Sequence, residues 1–118
     1  MSDPKRKVFL VCSVRGASQD VLDAQMAYVS ALERDGFRVH YPPRDTNQEA
    51  AGINICTQNC AAISDSDEVH VWYSPDSQGT HFDMGVAFAF GKPVVVARNI
   101  DYGPGKSYAR MLDEWSKV

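Results

Sequence analysis

Apolar positions along the chain follow two alternating patterns, short continuous runs and stretches spaced three or four residues apart. Residues 7–13, KVFLVCS, form a nearly unbroken apolar run, as expected of a parallel strand buried on both faces. After the turn Ser13-Val14-Arg15-Gly16 the spacing changes. Ser18 is placed to cap a helix with Asp20 in its first turn, and Leu22, Met26, Val29 and Leu32 recur at helical intervals until Asp35-Gly36. Residues 37–41 predict a short second strand halted by Pro42-Pro43, and the polar stretch 44–52 reads as a loop. A second helix is expected over 53–64, with Ile55, Ala62 and Ile63 among its apolar positions. Residues 68–73, EVHVWY, predict a third strand whose alternation implies one less buried face. The turn-rich SPDSQGT leads to a third helix over 81–90, ended by Gly91. Pro93 introduces a fourth strand over 94–97. Beyond a glycine- and proline-bearing loop, Tyr108, Met111, Leu112 and Trp115 mark one face of a last helix.

Strands and helices therefore alternate as βαβαβαβα, without repeats or an internal linker. Right-handed crossovers with helices on both faces turn this order into an α/β flavodoxin-like fold. It is a doubly wound open sheet of parallel strands in the order 2-1-3-4. The 118 residues fit a single domain over 1–118. In that order the sheet reverses direction between strands one and three, and ligands bind outside the carboxyl ends at such a point. Two loops meet there, residues 13–18 and 74–80, and both are rich in the serine and glycine that suit a phosphate or sugar.

Charge and cysteine content narrow the partners. A net charge of -3 argues against a nucleic-acid backbone or an anionic membrane as the main partner. No apolar run is long enough to span a bilayer. The opening Met1–Lys7 is basic, but the apolar run behind it reads as a strand and lacks a cleavage pattern, so a cytoplasmic location is expected. Three cysteines, Cys12, Cys56 and Cys60, are an odd number for a disulfide framework. No histidine stands at metal-ligand spacing beside them, so reduced, mostly buried thiols and no metal are expected. A chain this small has reason to share apolar area in a homodimer or higher homo-oligomer.

Two segments could carry chemistry. In the first turn, Gly16 allows a tight bend, backbone amides and the Ser13 and Ser18 hydroxyls can donate to an anion, and Arg15 can add a bidentate contact. An ordinary strand–helix turn with an exposed arginine fits the same residues. In the second, Thr80 is placed as an N-cap, which sets Asp83 at the third helical position. There the carboxylate either completes a capping box or faces a bound sugar as a nucleophile. Trp72 at the end of strand three could stack on a base or fill the core. His81 neighbours Asp83 in sequence, but adjacent helical residues point apart. His40 and His70 lie within strands and read as structural. Residues 44–48, with Asp45 and Asn47, either read a base edge or form a solvated loop.

The chain resembles the nucleoside 2-deoxyribosyltransferase superfamily, including its nucleotide N-glycosidase branch. The resemblance rests on Ser13-Val14-Arg15-Gly16, on Ser66-Asp67 entering strand three, and on Ser77-x-Gly79-x-x-Phe82-Asp83-x-Gly85-x-Ala87 followed by Gly91-Lys92-Pro93. It implies Asp83 at the position of the family's nucleophilic glutamate, with Ser13, Arg15, Gly16, Ser77 and Gly79 holding a 5'-phosphate. It also implies a site needing no metal or other cofactor, completed by a neighbouring subunit to which Ser107 would contribute. The chain departs from the pattern twice. Asp83 is one methylene shorter than glutamate, and Asn59 stands where the family tends to place an aspartate in the second helix. An amide can position a sugar or a base but cannot act as a general acid.

The expected ligand is therefore a nucleoside or nucleotide, and the expected reaction is retaining cleavage or transfer of its N-glycosidic bond. A non-catalytic nucleotide-binding or sensing module on the same fold is the alternative. A flavin carrier would also suit the first turn and Trp72. A phosphoacceptor receiver would instead want an acidic pair where Ser13 and Arg15 stand.

Overall fold

The structure is a computed structural model that describes residues 5–98 and 100–118; most of the basic opening segment, Met1 to Pro4, lies outside the described residues. Its elements are β1 (Lys7–Val11), α1 (Gln19–Arg34), β2 (Arg38–His40), α2 (Pro42–Asp45), α3 (Gly52–Asp65), β3 (Glu68–Val71), α4 (Gln78–Ala89), β4 (Val94–Val96) and α5 (Tyr108–Ser116). The four strands form one parallel sheet in the order β2-β1-β3-β4, as the alternation of elements predicts. Phe9 is in register with His40 on one side and Val69 on the other, and Val71 is in register with Val96.

Side chains of successive strand residues point to opposite faces, which divides the core in two. Phe9, Val11, Val69, Val71 and Val94 pack with Ile63 of α3, Met84 and Ala87 of α4, and Ala109 and Leu112 of α5. Val8, Leu10, Val39 and Trp72 face the other way, against Val29, Met26 and Leu32 of α1. Helices thus cover both faces, three of them on one side. β3 has no less buried face. His70 is 5% exposed, its Nδ1 lying 2.6 Å from the Tyr28 hydroxyl, because α1 lays Tyr28 across that side of the sheet.

The helix ends follow the expected caps with one consequential exception. Ser18 caps α1 by accepting from the Val21 amide at 3.2 Å, and Gly36 ends it with φ +97°. Before α4, however, the cap is Ser77 and not Thr80. Ser77 Oγ accepts from the Thr80 amide at 3.1 Å, so the helix starts three residues earlier than its apolar spacing suggests. Two further expectations change. Pro42-Pro43 ends β2 but opens the single helical turn α2, since proline suits a helix's first positions. The stripe of α5 is centred on Ala109 and Leu112, leaving Tyr108 exposed.

Leu112 is fully buried where α5 meets β4 and α4. Leu112→Ala should cost about 2–5 kcal/mol of stability, the usual range for a buried leucine. Urea denaturation with an unchanged m-value would register this as a lower midpoint; a loss under 1 kcal/mol would mean that α5 is not anchored as described.

Candidate functional site

The loops after β1 and β3 meet at the carboxyl edge of the sheet and open onto two recesses that share Arg15, Asp76 and Ser77. One, of about 490 Å³, lies between α3 and α4 and is lined by Cys12, Arg15, Cys56, Asn59, Ser77, Gly79 and Asp83, among others. That volume suits a small-molecule ligand. The second, of about 460 Å³, is bounded by Ser13, Gly16, Ser18, Ser74 and Arg98 as well as the shared residues. Gly16 adopts φ +73°, a conformation that a side chain resists, which lets the chain turn directly into α1.

Asp83 is 5% exposed. With Ser77 as cap it falls at the sixth helical position, a full turn beyond reach of the cap amide, so the capping-box role is excluded. Its hydrogen-bond partner is Asn59, whose Nδ2 donates to Oδ2 at 3.3 Å. Burial pushes the Asp83 carboxyl up to about 7, with the Asn59 hydrogen bond opposing the shift. The buried Cys12 beside it has its thiol raised as well, first by burial and then by the Asp83 charge.

The structure brings five expected residues to the first recess: Asp83, Asn59, Arg15, Ser77 and Gly79. Ser13 and Gly16 line the second, with Arg15 and Ser77 bridging the two. Three others stand elsewhere. Asp45 turns back into α2, accepting from the Tyr41 amide at 2.8 Å and from Arg44 Nε at 2.8 Å. Trp72 is 8% exposed in the α1-side core, where Arg98 lies over its ring at 4.9 Å, so it offers no face to the first recess. Ser107 caps α5, accepting from the Arg110 amide at 3.0 Å, and borders neither recess. His81 is turned from Asp83, with Nδ1 donating to the Ser77 carbonyl at 2.7 Å and Nε2 lying 2.9 Å from the Tyr73 hydroxyl.

Residues outside the sequence expectation complete the site. Arg98 reaches the second recess with Nη2 donating to the Tyr73 carbonyl at 2.7 Å, which braces a second guanidinium there. Fully buried Gln25 donates to the Ser13 carbonyl at 3.3 Å and accepts from the Tyr41 hydroxyl at 2.9 Å, fixing the first turn from beneath. A polar residue between Leu22 and Val29 on the apolar face of α1 was the available signal. The stretch 44–52 is not simply solvated, because Thr46 is buried and donates to Asn59 Oδ1 at 2.7 Å. The three cysteines are free thiols, Cys12 buried and the others half-buried. Among the described residues no three His, Cys, Asp or Glu side chains are grouped to hold a metal.

Fold and recess together define a doubly wound α/β domain with a buried carboxylate at the switch point of its sheet. The chain belongs to the nucleoside 2-deoxyribosyltransferase family, whose sequence model matches residues 8–104. Among solved structures it is similar to a conserved protein from Enterococcus faecalis V583, with a TM-score of 0.65 and 20% identity over 79% of this chain. It is also similar to the CMP N-glycosidase BcmB of Clostridium botulinum, with a TM-score of 0.55 and 20% identity over 77% of this chain. The chain spans 63% of the first of these proteins and 70% of the second. No curated protein sequence matches it.

Asp83 also leaves a signature in stability. An unfolded chain ionises this carboxyl near 3.8, whereas the folded protein keeps the proton to about 7. Between those values the folded state binds the extra proton, so stability falls as pH rises through the window and levels off above it. Asp83→Asn should therefore stabilise the protein by about 2–4 kcal/mol at pH 8 and by little at pH 4. Thermal melts at the two pH values decide this; an equal effect at both would place the carboxylate in a solvated setting.

Proposed function

We propose that the protein cleaves or transfers the N-glycosidic bond of a nucleoside or nucleoside 5'-monophosphate, with Asp83 as nucleophile. The observation that carries this reading is a buried carboxylate with one amide donor, facing a ligand-sized recess at the switch point. An Asp83 oxygen attacks the anomeric carbon while the C–N bond breaks and its electron pair leaves with the base. The departing nitrogen takes a proton from water, since Asn59 has none to give as an acid. Water then opens the glycosyl-aspartate ester, or a second base captures the sugar, with retention in either case. The similarity to BcmB, a CMP N-glycosidase, supports the same substrate class.

Arg15 and Arg98, with the Ser13, Ser18 and Ser77 hydroxyls and the start of α1, suit a 5'-phosphate in the second recess. A homo-oligomer is supported by exposed Phe82, Phe88, Phe90 and Tyr108. Among the described residues no helix is long and apolar enough to cross a membrane. A binding module without turnover is the second reading. It is favoured by a carboxyl one methylene shorter than glutamate and protonated over much of the range below neutrality.

Chromatography for free base decides between these readings. The protein is incubated with ribo- and deoxyribonucleosides and their 5'-monophosphates, with and without an acceptor base. Base release should be abolished in Asp83→Asn and should rise with pH through about 7 as the nucleophile ionises. Ligand binding without base release from any substrate would select the binding module.

The phosphate assignment has its own check. Arg15→Ala and Arg98→Ala should each raise KM for a monophosphate by about 10-fold or more while leaving the free nucleoside nearly unaffected, given the strength of charged hydrogen bonds. Equal losses on both substrates would remove the phosphate from this recess.

A further inference from the structure

Asn59 is an amide whose usefulness to Asp83 depends on which end faces the carboxylate. With Nδ2 toward Asp83 it donates and favours the charged form; with Oδ1 toward Asp83 it favours the protonated form. Two groups behind it bear on that choice. The Thr46 hydroxyl donates to Asn59 Oδ1 at 2.7 Å, and His40 Nε2 lies 2.8 Å from the same Thr46 oxygen. The threonine hydroxyl has one proton, which it gives to Asn59, so His40 must donate from Nε2. The chain then runs in one direction: His40 Nε2–H to Thr46, Thr46 O–H to Asn59 Oδ1, and Asn59 Nδ2–H to Asp83. Reversing it requires a proton on Asp83 and a bare Nε2 on His40.

Each link is held by its own element. His40 ends β2 and stacks on Phe9 of β1, with ring centroids 5.2 Å apart and planes 8° from parallel. Thr46 is 4% exposed, and its amide donates to the Pro42 carbonyl at 3.1 Å. Asn59 on α3 is 7% exposed. Burial keeps His40 below the usual imidazole range, so near neutrality the ring has one N–H to place. Asp45 and Arg44 of α2 act on it in opposite directions. Facing Asp83 are Cys12 beyond β1 and Cys60 on α3, both raised first by burial, while Arg15 and Asp76 line the same recess.

We propose that His40 and Thr46 are positioning residues, a hydrogen-bond relay that locks the Asn59 amide as a donor to Asp83. The relay rests on the proposed role of Asp83 for its effect on turnover, but its effect on the carboxyl needs no substrate. Thr46→Val keeps the shape of the side chain, removes the hydroxyl and frees the amide to turn over. Thr46→Ser keeps the hydroxyl.

The test is the titration of the Asp83 carboxyl, followed by carbon NMR in the wild type, Thr46→Val, Thr46→Ser, Asn59→Ala and the Thr46→Val/Asn59→Ala double variant. Thr46→Val should move the midpoint up by about one unit, a tenfold loss in ionisation. Thr46→Ser should restore it. The double variant should match Asn59→Ala alone, because Thr46 acts only through the amide. If Thr46→Val does not fold, His40→Phe, which keeps the stack but removes the Nε2 donor, should shift the midpoint in the same direction. An unmoved midpoint in a folded Thr46→Val or His40→Phe, or shifts that add in the double variant, would overturn the relay. On a substrate the wild type turns over, Thr46→Val should lower kcat with KM little changed and carry the rising limb of the pH profile upward. A shifted midpoint without base release from the wild type would keep the relay and remove the glycosyl-transfer reading. Base release with an unmoved midpoint would do the reverse.

Discussion

The constraint on which the site depends is the burial of the Asp83 carboxyl with one amide donor. A carboxylate removed from water is costly unless hydrogen bonds replace the lost solvation. Here Asn59 supplies the compensation at 3.3 Å, and burial outweighs it, leaving the carboxyl near 7. Such a group persists because the surrounding structure leaves it no exit. Met84 and Ala87 of its own helix are fixed in the core with Ile63 and Leu112, so α4 cannot rotate Asp83 outward without exposing them. The apolar face of α4 and the chemistry of its carboxylate are consequences of one packing arrangement.

The same sheet register governs what faces that carboxylate. Phe9 pairs with His40 across β1 and β2, placing the imidazole on the α3 side of the sheet. A shift of one residue would send His40 to the α1 face and break its contact with Thr46. Ser13 is held from the opposite side by Gln25, which α1 buries against the end of β1. The loop after β1 is therefore braced from beneath, which reduces the entropy lost when a ligand orders it.

Legibility in the sequence follows the range of the interactions involved. The unbroken run of β1 and the helical spacing of Leu22, Met26 and Val29 are local, and together with crossover handedness they give the strand order. The cap of α4 is harder to place. Ser77 and Thr80 are both good capping residues three apart, and only the hydrogen bond from the Thr80 amide to Ser77 distinguishes them. That difference carried Asp83 from the capping turn into the second turn of the helix. The Thr46–Asn59 and Asn59–Asp83 contacts span 13 and 24 residues, and no periodicity marks them. Arg98 and Trp72 were hidden for a similar reason. Their ring-to-guanidinium contact arises where β3 and β4 end side by side, a juxtaposition that follows from the sheet order and not from either segment alone.

The aspartate itself then takes on a different meaning. A glutamate at position 83 would carry its carboxyl roughly 1.5 Å farther from the helix backbone, about one bond length of reach. Asp83 stays close to α4, where a side chain on α3 can hold it, and it has fewer rotamers to lose. An amide in place of an acid at Asn59 suits this arrangement, since a second carboxylate 3.3 Å away would compete with Asp83 for a single proton. Under the proposed chemistry the sugar must approach a fixed carboxylate instead of being met by a longer, mobile one. Placement of the anomeric carbon then falls to the groups that hold the other end of the ligand. Under the proposed phosphate assignment those groups lie in the second recess, which shares Arg15, Asp76 and Ser77 with the first, so ligand anchoring and attack geometry are coupled through the residues between the two.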